Sequence, residues 1–184
     1  MAFLTNLHCK RCRARLLSLC ALLLWALPSP AQELVMSGSE RALKTAFIYN
    51  FTLFTEWPAH VGNTLTLCVR GPDPFDAAID VLEGKTVAAR TLTVQRRGTG
   101  SLGGCQVVFV SAAAINTLPR VLEELRGKPV LTIADSPGAA RLGVTLNLSV
   151  NQNKITFEAN LQAARAAQLS LSSKLLRLAT EVIQ

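Results

Sequence analysis

The sequence predicts an α/β fold in three layers: an open, mostly parallel sheet with flanking helices and an antiparallel edge hairpin. Continuous apolar runs at 106–110 and 130–133 read as strands covered on both faces, as in parallel sheets packed between helices. Strand and helix patterns succeed one another as β, α, β, β, α, β. Two further strand patterns, 143–149 and 154–158, are joined by Asn151-Gln152-Asn153, a composition suited to a hairpin turn.

The elements follow in chain order. Ser39 is placed to cap a first helix with Leu43, Ala46, Phe47, Asn50, Phe51 and Phe54 on one face, and Pro58 stops it. Thr64 to Val69 is strand-like and ends at Gly71. Asp73-Pro74 then offers an N-cap and a first-turn proline for a helix over Phe75 to Leu82. Residues 91–95 alternate as a strand, and Gln106 to Val110 is the first continuous apolar strand. Thr117 to Arg126 reads as a short helix ended by Gly127, and Pro129 to Ala134 as the next buried strand. Helical patterns at 160–167 and 172–182 close the chain.

Upstream of these elements, Lys10, Arg11, Arg13 and Arg15 precede an uncharged apolar run from Leu16 to Leu27, and Pro28-Ser29-Pro30-Ala31 follows. This is the tripartite build of a secretory signal peptide, predicted here for residues 1–31. The run falls well short of the roughly 20 residues that span a bilayer core, so a retained anchor is the weaker reading. Ser29 and Ala31 suit signal-peptidase pockets, and cleavage is expected after Ala31. A bulky residue at Leu17 argues against a lipid anchor on Cys20. The mature chain, residues 32–184, is then one ordinary domain in the periplasm.

The segment takes four basic and no acidic residues with it, so the formal charge falls from +7 to +3. The remaining charges are scattered, with no interleaved aromatics, and nucleic-acid binding is excluded on that ground. Only Cys68 and Cys105 remain, an even number in an oxidising compartment, which favours a disulfide over the alternative of two buried thiols. Their wide separation fits neither metal-ligand nor redox-motif spacing, and closing such a loop stabilises by roughly 3 to 4 kcal/mol in the chain-entropy view.

In the order of the chain, Leu43-Lys44-Thr45-Ala46-Phe47-Ile48-Tyr49-Asn50-Phe51 with Phe54-Thr55-Glu56-Trp57-Pro58 resembles the opening signature of the YfiR family. Further matching segments are Leu67-Cys68-Val69 with Asp73-Pro74-Phe75, Leu82-Glu83-Gly84-Lys85, and Gly104-Cys105-Gln106 running into Val107 to Ser111. Pro129 to Asp135, Phe157 to Leu161 and Leu171 to Ala179 complete the series. The resemblance implies a periplasmic repressor that binds an inner-membrane diguanylate cyclase and lowers cyclic di-GMP and biofilm formation. It also implies release by an OmpA-like outer-membrane lipoprotein, and it supports the pairing of Cys68 with Cys105. A second, more C-terminal bridge found in some members has no counterpart here. Ala167-Gln168-Leu169 stands where Ala-Gly-Leu is expected, so a left-handed turn there would be strained. Gly138-Ala139-Ala140 lacks an aromatic that often follows the glycine.

No catalytic residue, metal site or cofactor is predicted. Gly98-Thr99-Gly100-Ser101-Leu102-Gly103 matches GxGxxG, but it leads into a strand and opens no helix, so it offers no phosphate cradle. Asp73, Asp76, Asp80 and Glu83 read as a solvated face, too sparse in oxygen ligands for calcium. His60, the only histidine after cleavage, has no partner for zinc or acid-base work. Trp57 is expected to anchor the end of the first helix, the alternative being a contact residue of an interface. A thiol oxidoreductase is disfavoured by the cysteine spacing.

For partners, the dense apolar residues Leu169, Leu171, Leu175 and Leu178 at the C-terminus are the candidate contact surface, the alternative being a helix buried on both sides. A homodimer is a further option. A small-ligand module is the alternative function, using a crevice at the carboxyl ends of the parallel strands with Arg70, Asp73 and Asp135 as its candidate residues.

Overall fold

A computed structural model describes residues 37–151 and 154–184. The signal peptide and its cleavage site, and Gln152 and Asn153 of the hairpin turn, lie outside the described residues. The strands are β1 Thr55–Glu56, β2 Thr64–Arg70, β3 Thr86–Val87, β4 Arg90–Gly98, β5 Val107–Val110, β6 Leu131–Ala134, β7 Leu146–Asn151, β8 Lys154–Asn160, β9 Ser170–Leu171 and β10 Glu181–Ile183. The α-helices are α1 Gly38–Leu53, α2 Leu118–Glu124, α3 Leu161–Ala166 and α4 Ser173–Leu176, with 3-10 turns at Asp76–Leu82 and Ala112–Thr117.

Eight strands form one sheet in the order β10-β8-β7-β6-β5-β2-β4-β3, and β1 pairs with β9 in a separate antiparallel ribbon. Within the large sheet only β7/β8 and β3/β4 are antiparallel. β2 lies between β4 and β5, all three parallel, so the chain steps to one side of β2 and then returns to the other. That reversal opens a crevice at the carboxyl ends of the strands.

Side-chain alternation divides the core between the two faces of the sheet. Leu65, Leu67 and Val69 of β2 join Phe109, Ile133, Phe157 and the α1 residues Ile48 and Phe51 in one cluster. Cys68 faces the other way, with Val108, Val110 and the α2 residues Leu118 and Val121. The three predicted layers are therefore present. Phe75 stacks edge-on against Phe109 with ring centroids 4.7 Å apart, seating the Asp76–Leu82 turn on the first face.

Several elements differ from expectation for identifiable reasons. Ser37 caps α1 in place of Ser39, accepting from the Glu40 amide. The helix also sits rotated from the predicted stripe: Lys44, Thr45, Ile48, Phe51 and Thr52 are buried, while Leu43, Ala46 and Asn50 are exposed. Lys44 tolerates burial because its ammonium pairs with Asp135 at 2.9 Å and Glu40 at 3.1 Å. The helix expected over 75–82 is a 3-10 turn, since Asp76 takes φ +50° and Asp73 accepts from the Phe75 amide in a local turn. The helix expected over 172–182 ends at Leu176. Beyond it the Thr180 amide and hydroxyl both donate to the Phe157 carbonyl, and Glu181–Ile183 runs parallel to β8 as the true sheet edge. The antiparallel hairpin is thus one strand in from the edge.

Candidate functional site

The carboxyl ends of β2, β4 and β5 surround a cavity of about 450 Å³. Its walls are Arg70 to Pro72 at the end of β2, Gly98 to Ser101 at the end of β4, Ala113, Ala114, Asn116 and Thr117 after β5, and Arg120 and Glu124 of α2. Arg70 is 6% exposed. Its Nη1 donates to the carbonyls of Gly98 at 3.2 Å and Gly100 at 2.9 Å, and its Nη2 lies 3.6 Å from a Glu124 carboxylate oxygen. The other Glu124 oxygen accepts from the Leu102 amide at 2.7 Å and the Ser101 hydroxyl at 3.3 Å. The glycine-rich connection is therefore held from both sides by an ion pair between a buried arginine and a half-buried glutamate. It is a fixed wall, consistent with its reading as a strand-to-strand link with no phosphate cradle.

Gly71 is required where it sits. With φ +89°, a Cβ there would meet Ala114 Cβ at 2.4 Å and Ser111 Oγ at 2.6 Å. Arg70 Nε and Ser111 Oγ are buried without a hydrogen-bond partner, leaving unspent polar capacity behind this wall.

Of the three crevice residues expected from sequence, only Arg70 lines the cavity. Asp73 is engaged elsewhere, accepting from the Phe75 amide at 2.8 Å and from Arg96 Nε at 2.6 Å. Asp135 is buried against Lys44 on α1, with its Oδ1 unpartnered. Arg120 and Glu124 were missed. The signal for Glu124 lay in Arg70 itself, because an arginine closing an otherwise apolar strand needs an acidic neighbour from another element.

The acidic residues near this end are consumed by arginines. Arg96 pairs with Asp73 and, at 2.8 Å, with Asp80, and it donates to the Asp76 carbonyl; Arg41 pairs with Asp76 at 2.6 Å. The hydrogen bond to Asp80, then that to Asp73, holds the Arg96 guanidinium above its ordinary pKa, so it stays charged throughout any physiological range. Glu83 accepts from the Val94 amide at 2.7 Å on the outer side of β4. Among the described residues no cluster of His, Cys, Asp and Glu is placed to hold a metal ion. His60 is exposed, and Trp57 packs half-buried against the first cluster.

Cys68 and Cys105 form a disulfide, with their Cα atoms 5.9 Å apart. At the C-terminus the leucines divide. Leu169, Leu171 and Leu175 are buried in the core, which corrects their assignment to an exposed surface: β9 pairs with β1 and packs against α3, and these side chains join the cluster that holds α1 and the sheet. Leu178 is 70% exposed, flanked by half-buried Leu176, Ala179, Val182 and Ile183. Gln168 adopts φ +56°, so the left-handed turn at the missing glycine does occur. No helix among the described residues is long and apolar enough to cross a membrane.

The chain matches the YfiR/HmsC-like family over residues 41–180, nearly all of the described region, and it belongs to that family. Among solved structures it is similar to an ABC domain in complex with L-Trp from Streptococcus pneumonia. The TM-score is 0.53 at 10% identity, covering 78% of this chain and 60% of the neighbour. At that identity the likeness is one of fold.

Proposed function

We propose that this YfiR/HmsC-like chain is a periplasmic regulator without catalytic activity of its own, which binds an inner-membrane diguanylate cyclase and restrains cyclic di-GMP synthesis. Membership of the family over residues 41–180 carries this reading. The fold supports it with an exposed leucine, Leu178, set among half-buried apolar neighbours at the sheet edge, a surface of the kind that partners cover. The partner is the periplasmic sensor portion of the cyclase, and an OmpA-like outer-membrane lipoprotein is the candidate for relieving the block. Export through a cleaved signal peptide at residues 1–31 belongs to the same reading.

Deleting the gene in a strain that expresses the partner cyclase should raise cyclic di-GMP, measured by mass spectrometry of cell extracts, and should increase biofilm. An unchanged level with the cyclase present would leave the regulatory role without support. A small-ligand module is the second reading, favoured by the cavity at the strand ends.

A further inference from the structure

The cavity holds two cations and one anion. Glu124 is already engaged: one oxygen accepts from Leu102 and Ser101, and the other faces Arg70. Arg120, exposed on α2 and lining the same cavity, takes part in no ion pair among the described residues. One positive charge is left without a counterpart at the mouth of a concave space whose floor is a buried arginine.

We propose that this cavity binds a small organic monocarboxylate, with its carboxylate toward Arg120 and Arg70 and its apolar part against Ala113, Ala114 and Pro72. Four observations converge on it. The volume of about 450 Å³ lies in the range of small-molecule sites. The position is the crevice where strand order reverses beside β2, the place where open α/β sheets take ligands. The glycine-rich wall is fixed beforehand by Arg70 and Glu124, so little ordering is needed on binding. Charge selects the class: one surplus positive charge matches a monoanion, whereas a phosphate dianion would face Glu124 uncompensated. The proposal does not depend on the regulatory reading, because it concerns binding by the isolated protein.

The test uses the purified, oxidised protein labelled with ¹⁵N, titrated with benzoate and, separately, with benzamide, its neutral counterpart of the same shape. Benzoate should move the amide resonances of Gly98 to Ser101 and the Nε–H signals of Arg70 and Arg120 in a saturable way, and benzamide should not. Arg120→Gln should weaken benzoate binding about fivefold. Arg126→Gln, an exposed change just past the end of α2 and outside this cavity, should leave it unaltered. Equal shifts with benzamide, shifts confined to other regions, no shifts at all, or equal losses in both variants would each overturn the site.

Discussion

Leu175 and Leu178 are three residues apart and opposite in environment, which makes them a paired test of where the C-terminal region acts. Leu175 is 3% exposed and packs in the first core cluster, whereas Leu178 is 70% exposed. Leu175→Ala should therefore cost about 2–5 kcal/mol of folding stability through lost burial and a residual cavity. For a domain of this size that lowers Tm by roughly 4–20 °C. Leu178→Asp should leave stability within about 0.5 kcal/mol. In a complex that covers this face, the same aspartate would be buried without a partner, and a penalty of about 2 kcal/mol weakens binding roughly thirtyfold. The assay pairs thermal melts of the purified variants with cyclic di-GMP levels in a strain carrying each one. Leu178→Asp should melt like the parent yet release the cyclase. A Leu178→Asp protein that melts normally and still represses fully would remove this face from the contact.

Three further outcomes follow from the geometry. Replacing Cys68 and Cys105 together by Ala opens a 37-residue loop, a loss of about 4 kcal/mol in the chain-entropy view; calorimetry should show Tm falling by about 8–16 °C, and a fall below about 3 °C would mean the loop is held without the bridge. Gln168→Gly should stabilise by about 0.5–1 kcal/mol, because glycine takes φ +56° without the steric cost that exceeds its own entropic one; denaturant melts that show destabilisation would contradict this. Gly71→Ala places a methyl 2.4 Å from Ala114 Cβ at φ +89° and should destabilise by about 2 kcal/mol or more, with loss of the cavity-wall amide shifts in NMR spectra.

The sheet centre was legible because β5 and β6 are fully buried runs, where no polar face competes with the apolar pattern. β4, β2 and β5 lie side by side in that order, which sets the strand holding Cys68 next to the strand that follows Cys105. α1 was found but rotated, since its apolar residues surround more than one side and the decisive residue is a buried lysine, whose partner Asp135 is 91 residues away. The C-terminal element was misread as helix because leucine density at 169–178 dominates the pattern, while the strand-forming end at Glu181–Ile183 depends on an open edge of β8 that no local window contains. A cavity does open at the strand ends and Arg70 lines it, but Asp73 and Asp135 do not. A sequence shows that Asp73 and Asp135 follow strands; it does not show that Arg96 and Lys44 have claimed them.

One strand organises the site. Along β2, Thr66, Cys68 and Arg70 each hold part of the chain between β4 and β5: the Thr66 amide donates to the Gln106 side chain, while the Gln106 amide donates to the Thr66 carbonyl. Cys68 is bonded to Cys105, and Arg70 grips the carbonyls of Gly98 and Gly100. Cys68 and Arg70 project from the same face of β2 because side chains alternate along a strand, so the disulfide and the arginine act on one loop from one side. That loop carries Gly98, Gly100, Gly103 and Gly104, and such a segment loses more backbone freedom on folding than any other of its length. Several covalent and hydrogen-bonded anchors offset that loss, and they hold one wall of the cavity in place before anything enters it. The bridge two residues before Arg70 is therefore part of the cavity's architecture as well as of the protein's stability.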